Sequence, residues 1–166
     1  MSEPTGITTA LHTHLRNLLE AEQAHVGFER AVADLPASLR GIVPQGLVHS
    51  AWQIVEHIRI TQRDILDFSR NHDGSYRELA WPREYWPQEF APSDDGAWSH
   101  SLQSMRADLA AFLRIVEAAT ADELIAPFPW GDGQTLLREA LLIADHNAYH
   151  VGELISLRRQ LDAWRA

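Results

Sequence analysis

Apolar residues recur along this chain in steps of three and four, with no sustained alternation of apolar and polar positions. That pattern predicts helices rather than strands, and it falls into four segments. The first is expected from about Ile7 to Leu35, where Ile7, Leu11, Leu18, Phe28, Val32 and Leu35 form one stripe that also takes in His14 and His25. Pro36 ends it. The second is expected from about Gly46 to Ser69, with Trp52, Val55, Ile58, Ile65 and Phe68 on one face. Gly41, Pro44 and Gly46 mark the connection before it. The third opens at Ser93-Asp94-Asp95, an N-cap cluster with acid in the first turn. Trp98, Leu102, Met105, Leu109, Phe112 and Val116 follow as a packing seam. Thr120-Ala121-Asp122-Glu123 reads as a capping box that opens a short extra turn. The fourth segment runs from about Thr135 to Leu161, with Leu137, Leu141, Ala144, Ala148, Val151 and Ile155 along its apolar side.

Four long amphipathic helices imply an all-α four-helix bundle. A length of 166 residues suits one domain, 1–166, with a core that needs no staples. One connection departs from the short-loop pattern. Asn71 to Pro92, between the second and third helices, is rich in proline and aromatics, with Trp81-Pro82, Tyr85 and Trp86-Pro87. Loops that long in compact domains are usually functional covers or disordered. The aromatic content argues for a packed cover over one end of the bundle.

Composition narrows the chemistry. The chain has no cysteine, which removes disulfides, thiolate nucleophiles and Cys-ligated zinc. Any metal site must use nitrogen and oxygen ligands. All fourteen basic residues are arginine, so Schiff-base and P-loop lysines are excluded as well. A net charge of −9 and scattered arginines disfavour nucleic acid as a partner. No apolar run approaches the length of a membrane span. The start, Met1-Ser2-Glu3-Pro4, is too polar for a signal peptide, so a cytoplasmic location is expected.

Nine histidines remain as the candidate chemistry. His146 and His150 stand four apart in the fourth helix, about 40° apart around its axis and about 6 Å along it, so both rings can reach one ion. Chance alone supplies such a pair in about half of shuffled chains, so spacing by itself is weak. The flanking Ala144, Ala148, Val151 and Ile155 turn part of that face inward, and bundle cores build metal sites from facing helices. A third ligand must come from elsewhere. His57 is the best placed, mid-helix beside Trp52, Ile54 and Ile58. His49 lies two turns earlier, and His25 and His14 are second choices, more readily explained as buried rings bonded to neighbours. His12, His72 and His100 read as surface or loop residues. Asn147 follows His146 where a zinc protease carries glutamate, so that base is absent. Glu153, one turn beyond His150, is the candidate catalytic carboxylate: it can take a proton from a water or orient a ring. Glu56 and Asp145 adjoin the candidate ligands in sequence but diverge from them by about 100° around the helix.

At these residues the chain resembles the DinB/YfiT-like family of metalloenzymes. The resemblance is carried by Gly133-Gln134-Thr135-Leu136-Leu137-Arg138-Glu139-Ala140 and by Ala144-Asp145-His146-Asn147-Ala148-Tyr149-His150-Val151-Gly152-Glu153, with Arg158-Arg159 and Trp164 continuing it. His49-Ser50-Ala51-Trp52-Gln53-Ile54-Val55-Glu56-His57-Ile58 resembles the family's second helix, and Trp81-Pro82 with Tyr85-Trp86-Pro87 resembles one branch of it. It implies a four-helix bundle with a divalent transition metal, zinc or nickel foremost and iron third, held by one histidine of the second helix and two of the fourth. Those positions are His57, His146 and His150. It also implies a homodimer, and either a metal-dependent hydrolase or a transferase that uses a low-molecular-weight thiol such as bacillithiol or mycothiol. A small-molecule substrate or thiol cosubstrate is the partner either way. Three histidines leave an open coordination position, as catalytic zinc sites do. The alternative is a non-catalytic metal- or ligand-binding bundle associated with stress, or a helical interaction module whose histidines are structural.

Overall fold

The protein is described by a computed structural model covering residues 6–165. The polar start Met1-Ser2-Glu3-Pro4 lies outside the described residues. In chain order the elements are α1 (Gly6–Glu20), α2 (Phe28–Val32), a 3-10 turn (Ala37–Leu39), α3 (Ala51–Ser69), α4 (Asp95–Ala118), α5 (Ala121–Ile125) and α6 (Leu136–Gln160). The architecture is all-α. Among the described residues there is no strand, only an isolated antiparallel bridge between Pro127 and Thr135. No helix among them is long and apolar enough to cross a membrane.

Three helix starts fall where local cap chemistry puts them. The Asp94 side chain accepts from Ala97 N–H at the start of α4. Thr120 and Glu123 close a capping box on α5. Thr135 accepts from Arg138 N–H at the start of α6. Each removes one or more of the unpaired N–H groups of a first turn.

The first expected helix is two. It stops at Glu20, the chain runs without helix through residues 21–27, and α2 resumes at Phe28. The reason is in the packing: of the nine residues between Leu18 and Phe28, Leu19 alone packs against an apolar cluster, which leaves little to hold a helix on the core. Glu22 folds back to accept Gly27 N–H across the break. The stripe itself is also turned: Thr8 and Leu15 are buried, whereas Ile7 is 69% exposed and Leu18 is exposed too. The second helix starts at Ala51 rather than Gly46, because Gly46 takes a positive φ of 85° and Ser50 provides the cap. In α6 the buried side is Leu136, Ala140, Ile143, His150, Leu154 and Leu157 with Val151, and Leu141 is exposed. The expected apolar side of that helix is therefore rotated by about one position.

Two apolar clusters make the core. One joins α2, α3, α4 and the end of α6 through Val32, Trp52, Val55, Ile58, Trp98, Met105 and Leu154. The other joins Leu15, Ile65, Leu66, Phe112, Val116, Leu124, Leu136 and Ile143. Buried His57, Gln62 and His150 lie on α3 and α6, which with α4 supply residues to both clusters.

Candidate metal centre

The site begins with a helix cap. Ser50 and Gln53 close a reciprocal capping box at the start of α3. The same two side chains reach out to the loop after α3: Ser50 Oγ donates to Phe90 O, and Gln53 Nε2 donates to Pro87 O at 3.2 Å. One turn beyond Gln53 stands His57. Opposite it, α6 presents His146 and His150. His57 and His150 are buried and His146 is half-buried.

One ring nitrogen from each of these histidines lies within 4.8 Å of the other two. Ring centroids are 4.9 Å apart for His57 and His146, 4.6 Å for His57 and His150, and 4.5 Å for His146 and His150. His57 Nε2 and His146 Nε2 face each other at 3.0 Å.

The protons on these rings follow from their other partners. His57 Nδ1 is 2.9 Å from Tyr85 O, which can only accept, so Nδ1 carries the proton. His150 Nδ1 is 2.6 Å from Glu153 Oε2, an acceptor while ionised. In the neutral rings this leaves Nε2 of His57 and of His150 as bare lone pairs. Holding one ring nitrogen on a carbonyl or a carboxylate so that the other is free is how metal-ligating histidines are oriented. The donor set fits a divalent transition ion: three imidazole nitrogens, two with the proton pinned on the far side, and no sulfur.

Two of the rings are also held in the neutral form. Burial pushes His57 down to about 4, with His146 and His150 adding to the effect and the Tyr85 carbonyl opposing it. Burial likewise lowers His146 to about 4, with His150 adding and Asn147 and Asp145 opposing. Two rings that resist protonation near neutral pH keep their lone pairs available.

The loop from Asn71 to Pro92 closes over His57. The Trp86 indole is sandwiched between two imidazoles, 3.8 Å from His57 and 3.7 Å from His49, nearly parallel to both. Asp64, two turns after His57 on α3, ties the loop down at two points. It accepts from Tyr76 OH at 3.1 Å and from Tyr85 OH at 2.7 Å. Burial raises the pKa of Asp64 against the pull of those hydroxyls. Through Tyr85 the tether reaches the carbonyl that fixes His57.

The remaining candidates fall elsewhere. His49 is half-buried and stacks on Trp86 without joining the cluster; burial lowers its pKa, while Glu153 pulls the other way. His14 and His25 are exposed and are not part of it, so the expectation of a buried seam position fails for both, because α1 is rotated and broken there. His12 bonds Ala119 O at 2.8 Å. His72 and His100 are exposed. Glu56 is engaged by Arg59 and Ser101, and Asp145 is exposed. Sequence reasoning missed Asp64, the Tyr85 carbonyl and the His49–Trp86–His57 stack. Only the first had a local signal, its seven-residue spacing from His57 on one helix face.

Compared with known families, residues 20–154 match the DinB superfamily. A search of curated proteins finds no match to the chain.

Proposed function

The chain belongs to the DinB superfamily, and on that premise we propose that it is a metal-dependent enzyme that transfers a low-molecular-weight thiol to an electrophile. The observation that carries this reading is the convergence of three imidazole nitrogens with no carboxylate in the cluster among the described residues. Imidazole donors suit zinc, nickel, iron and copper alike, and zinc or nickel is the proposed occupant, with iron third. A divalent ion held there supplies Lewis-acid chemistry to a thiol or a water at its open position.

The chain's own groups favour the thiol. Glu153 is committed to His150 Nδ1, so it is a positioning residue for that ring. A thiol made acidic at the site needs no separate protein base. The chain has no cysteine, so the sulfur comes from the cosubstrate. In the reaction the sulfur bonds the electrophilic carbon, the leaving group departs with its electron pair, and the thiol proton passes to solvent. The indole of Trp86 keeps water from the covered face of His57. Hydrolysis is the second reading, supported by the 37% exposure of the Glu153 side chain, which leaves its other oxygen within reach of a water.

Elemental analysis of protein purified without a histidine tag tests the metal and should give about one transition-metal equivalent, one site being expected of one such cluster. Loaded protein is then incubated with 1-chloro-2,4-dinitrobenzene and, in turn, bacillithiol, mycothiol and cysteine, and with ester substrates. Thioether formation with one of the thiols supports the transferase. Ester turnover alone supports the hydrolase, and silence across all of them with metal bound supports a non-catalytic metal-binding protein.

A further inference from the structure

Three polar side chains of α3 stand in one row. His57 follows Gln53 by four positions and Asp64 follows His57 by seven, so all three lie within about 40° of one another around the helix axis. Each meets the same short stretch of the loop. Gln53 Nε2 donates to Pro87 O at 3.2 Å, His57 Nδ1 donates to Tyr85 O at 2.9 Å, and Asp64 Oδ2 accepts from Tyr85 OH at 2.7 Å. Tyr85 therefore touches α3 twice, with its carbonyl on His57 and its hydroxyl on Asp64. Seven residues of helix rise about 10 Å, so the tyrosine spans two turns of α3 and is held at both ends.

The hydroxyl end is the stronger hold. A hydroxyl that donates to a carboxylate at this length makes a charge-assisted bond, roughly twice as strong as one between neutral groups. The nearby arginines of α3 are engaged by other carboxylates: Arg59 by Glu56, Arg63 by Asp67 and Asp108, and Arg70 by Asp67. Asp64 instead takes two tyrosine hydroxyls, that of Tyr85 and, at 3.1 Å, that of Tyr76. Asp64 and Tyr85 are both half-buried, which limits competition from water.

We infer that Asp64 is a positioning residue for the metal centre: by holding the Tyr85 hydroxyl it keeps the Tyr85 carbonyl on His57 Nδ1, and so keeps Nε2 of His57 bare and turned toward His146 and His150. This rests on the reading of the cluster as a metal site. A loop carbonyl has no fixed place of its own. Here it is placed by the side chain of its own residue, anchored two turns away on the helix that carries the ligand. Carboxylates behind metal-binding histidines commonly bond the ring itself, as Glu153 does at His150. On the His57 side the carboxylate acts at one remove, with Tyr85 between.

The test compares Asp64→Ala, Asp64→Asn, Tyr85→Phe and Tyr76→Phe with wild type in the full chain. Tyr85→Phe keeps the carbonyl and the ring and removes only the hydroxyl, so it should stay folded, which circular dichroism checks. Zinc affinity is read by competition with a chromogenic chelator. It should fall by about 3- to 10-fold in Asp64→Ala and in Tyr85→Phe, less than for a residue that bonds the ligand directly, because Gln53 still holds the loop at Pro87. Asp64→Asn, whose amide oxygen still accepts, should keep most of the affinity. Tyr76→Phe leaves the Tyr85 bond in place and should stay within about twofold of wild type. The double variant Asp64→Ala with Tyr85→Phe should lose no more than the larger single loss, since both remove one bond. In chelator, nitrogen NMR of the imidazoles should show the Nδ1–H form of His57 in wild type and a mixture of tautomers in Asp64→Ala and Tyr85→Phe. A generally loosened loop would instead weaken Tyr76→Phe as much as Tyr85→Phe. That result, additive losses in the double variant, or wild-type affinity and tautomer in Tyr85→Phe would each overturn the inference. The two readings fail separately. A tautomer shift in a chain that takes up no zinc removes the metal centre and keeps the relay from Asp64 to His57. Normal zinc loading with an unmoved tautomer does the reverse.

Discussion

Two buried polar groupings bridge α3 and α6, one turn apart, and they are built on opposite plans. In the first, Gln62 donates to Met105 O at 2.7 Å and accepts from Asn147 Nδ2 at 3.2 Å. Donor meets acceptor between the two amides and on α4, and only Asn147 Oδ1 of the pair is left without a partner. In the second, His57, His146 and His150 each bring a ring nitrogen toward the other two, with His146 Nε2 bonded to His57 Nε2, while the far nitrogens of His57 and His150 are turned away to Tyr85 O and Glu153. The difference teaches what to look for in a buried polar layer. Donors matched to acceptors inside the layer mean architecture. Converging lone pairs, held there by outside acceptors, mean a place for a positive charge.

The sharpest way to break this comparison is to remove a ligand. His57→Ala, His146→Ala and His150→Ala should each lower metal affinity by more than about 100-fold, beyond the range for residues that only orient a ligand. Competition against a chromogenic chelator measures it, and normal loading in any one of them would take that residue out of the centre. Next in size is the carboxylate behind His150. Glu153→Ala should weaken metal binding by about 10- to 100-fold, with Glu153→Gln at the small end because its amide oxygen still accepts from Nδ1. A Glu153→Ala protein with wild-type affinity would mean that the His150 ring needs no partner.

Acid separates the two layers in the metal-free protein. His57 and His146 are held down to about 4 in the fold, whereas in the unfolded chain they titrate near their ordinary value of 6.5. Between those values the unfolded chain binds more protons, so stability falls as pH drops from about 6.5 toward 4, by a few kcal/mol in order of magnitude. Denaturant melts in chelator across that window measure it, and His57→Ala should flatten the slope. The smallest effect belongs to the closed pair. Gln62→Leu should cost about 1–3 kcal/mol of stability through the polar partners it strands, and leave metal affinity within about twofold of wild type. A large loss of metal in that variant would merge the two layers into one.

What could be read from residues alone follows the range of the interactions. The caps at Asp94 and Thr120 are local, with side chain and target N–H three residues apart, and they were legible; Thr135 was legible only as the start of its segment. The histidine pair on α6 was legible as spacing, and His57 as the ring best placed to meet it. The rotation of α6 was not, because Leu141 and Ile143 are both apolar and only packing decides which is buried. The break in α1 had a sign in the sequence: the stripe has no member between Leu18 and Phe28. The Tyr85 carbonyl that fixes His57 had none, since every residue has a carbonyl and this one acts across 28 positions.

The double duty of Ser50 and Gln53 carries one more consequence. The side chains that cap α3 are the ones that hold Phe90 and Pro87, so the helix start and the far end of the cover are one cooperative unit. Amide protection against hydrogen exchange should therefore rise and fall together at residues 51–54 and 85–91, though more than thirty positions separate them. Lifting the cover therefore frays a helix, and exposure of the His57 face beneath Trp86 is tied to unwinding of the first turn of α3.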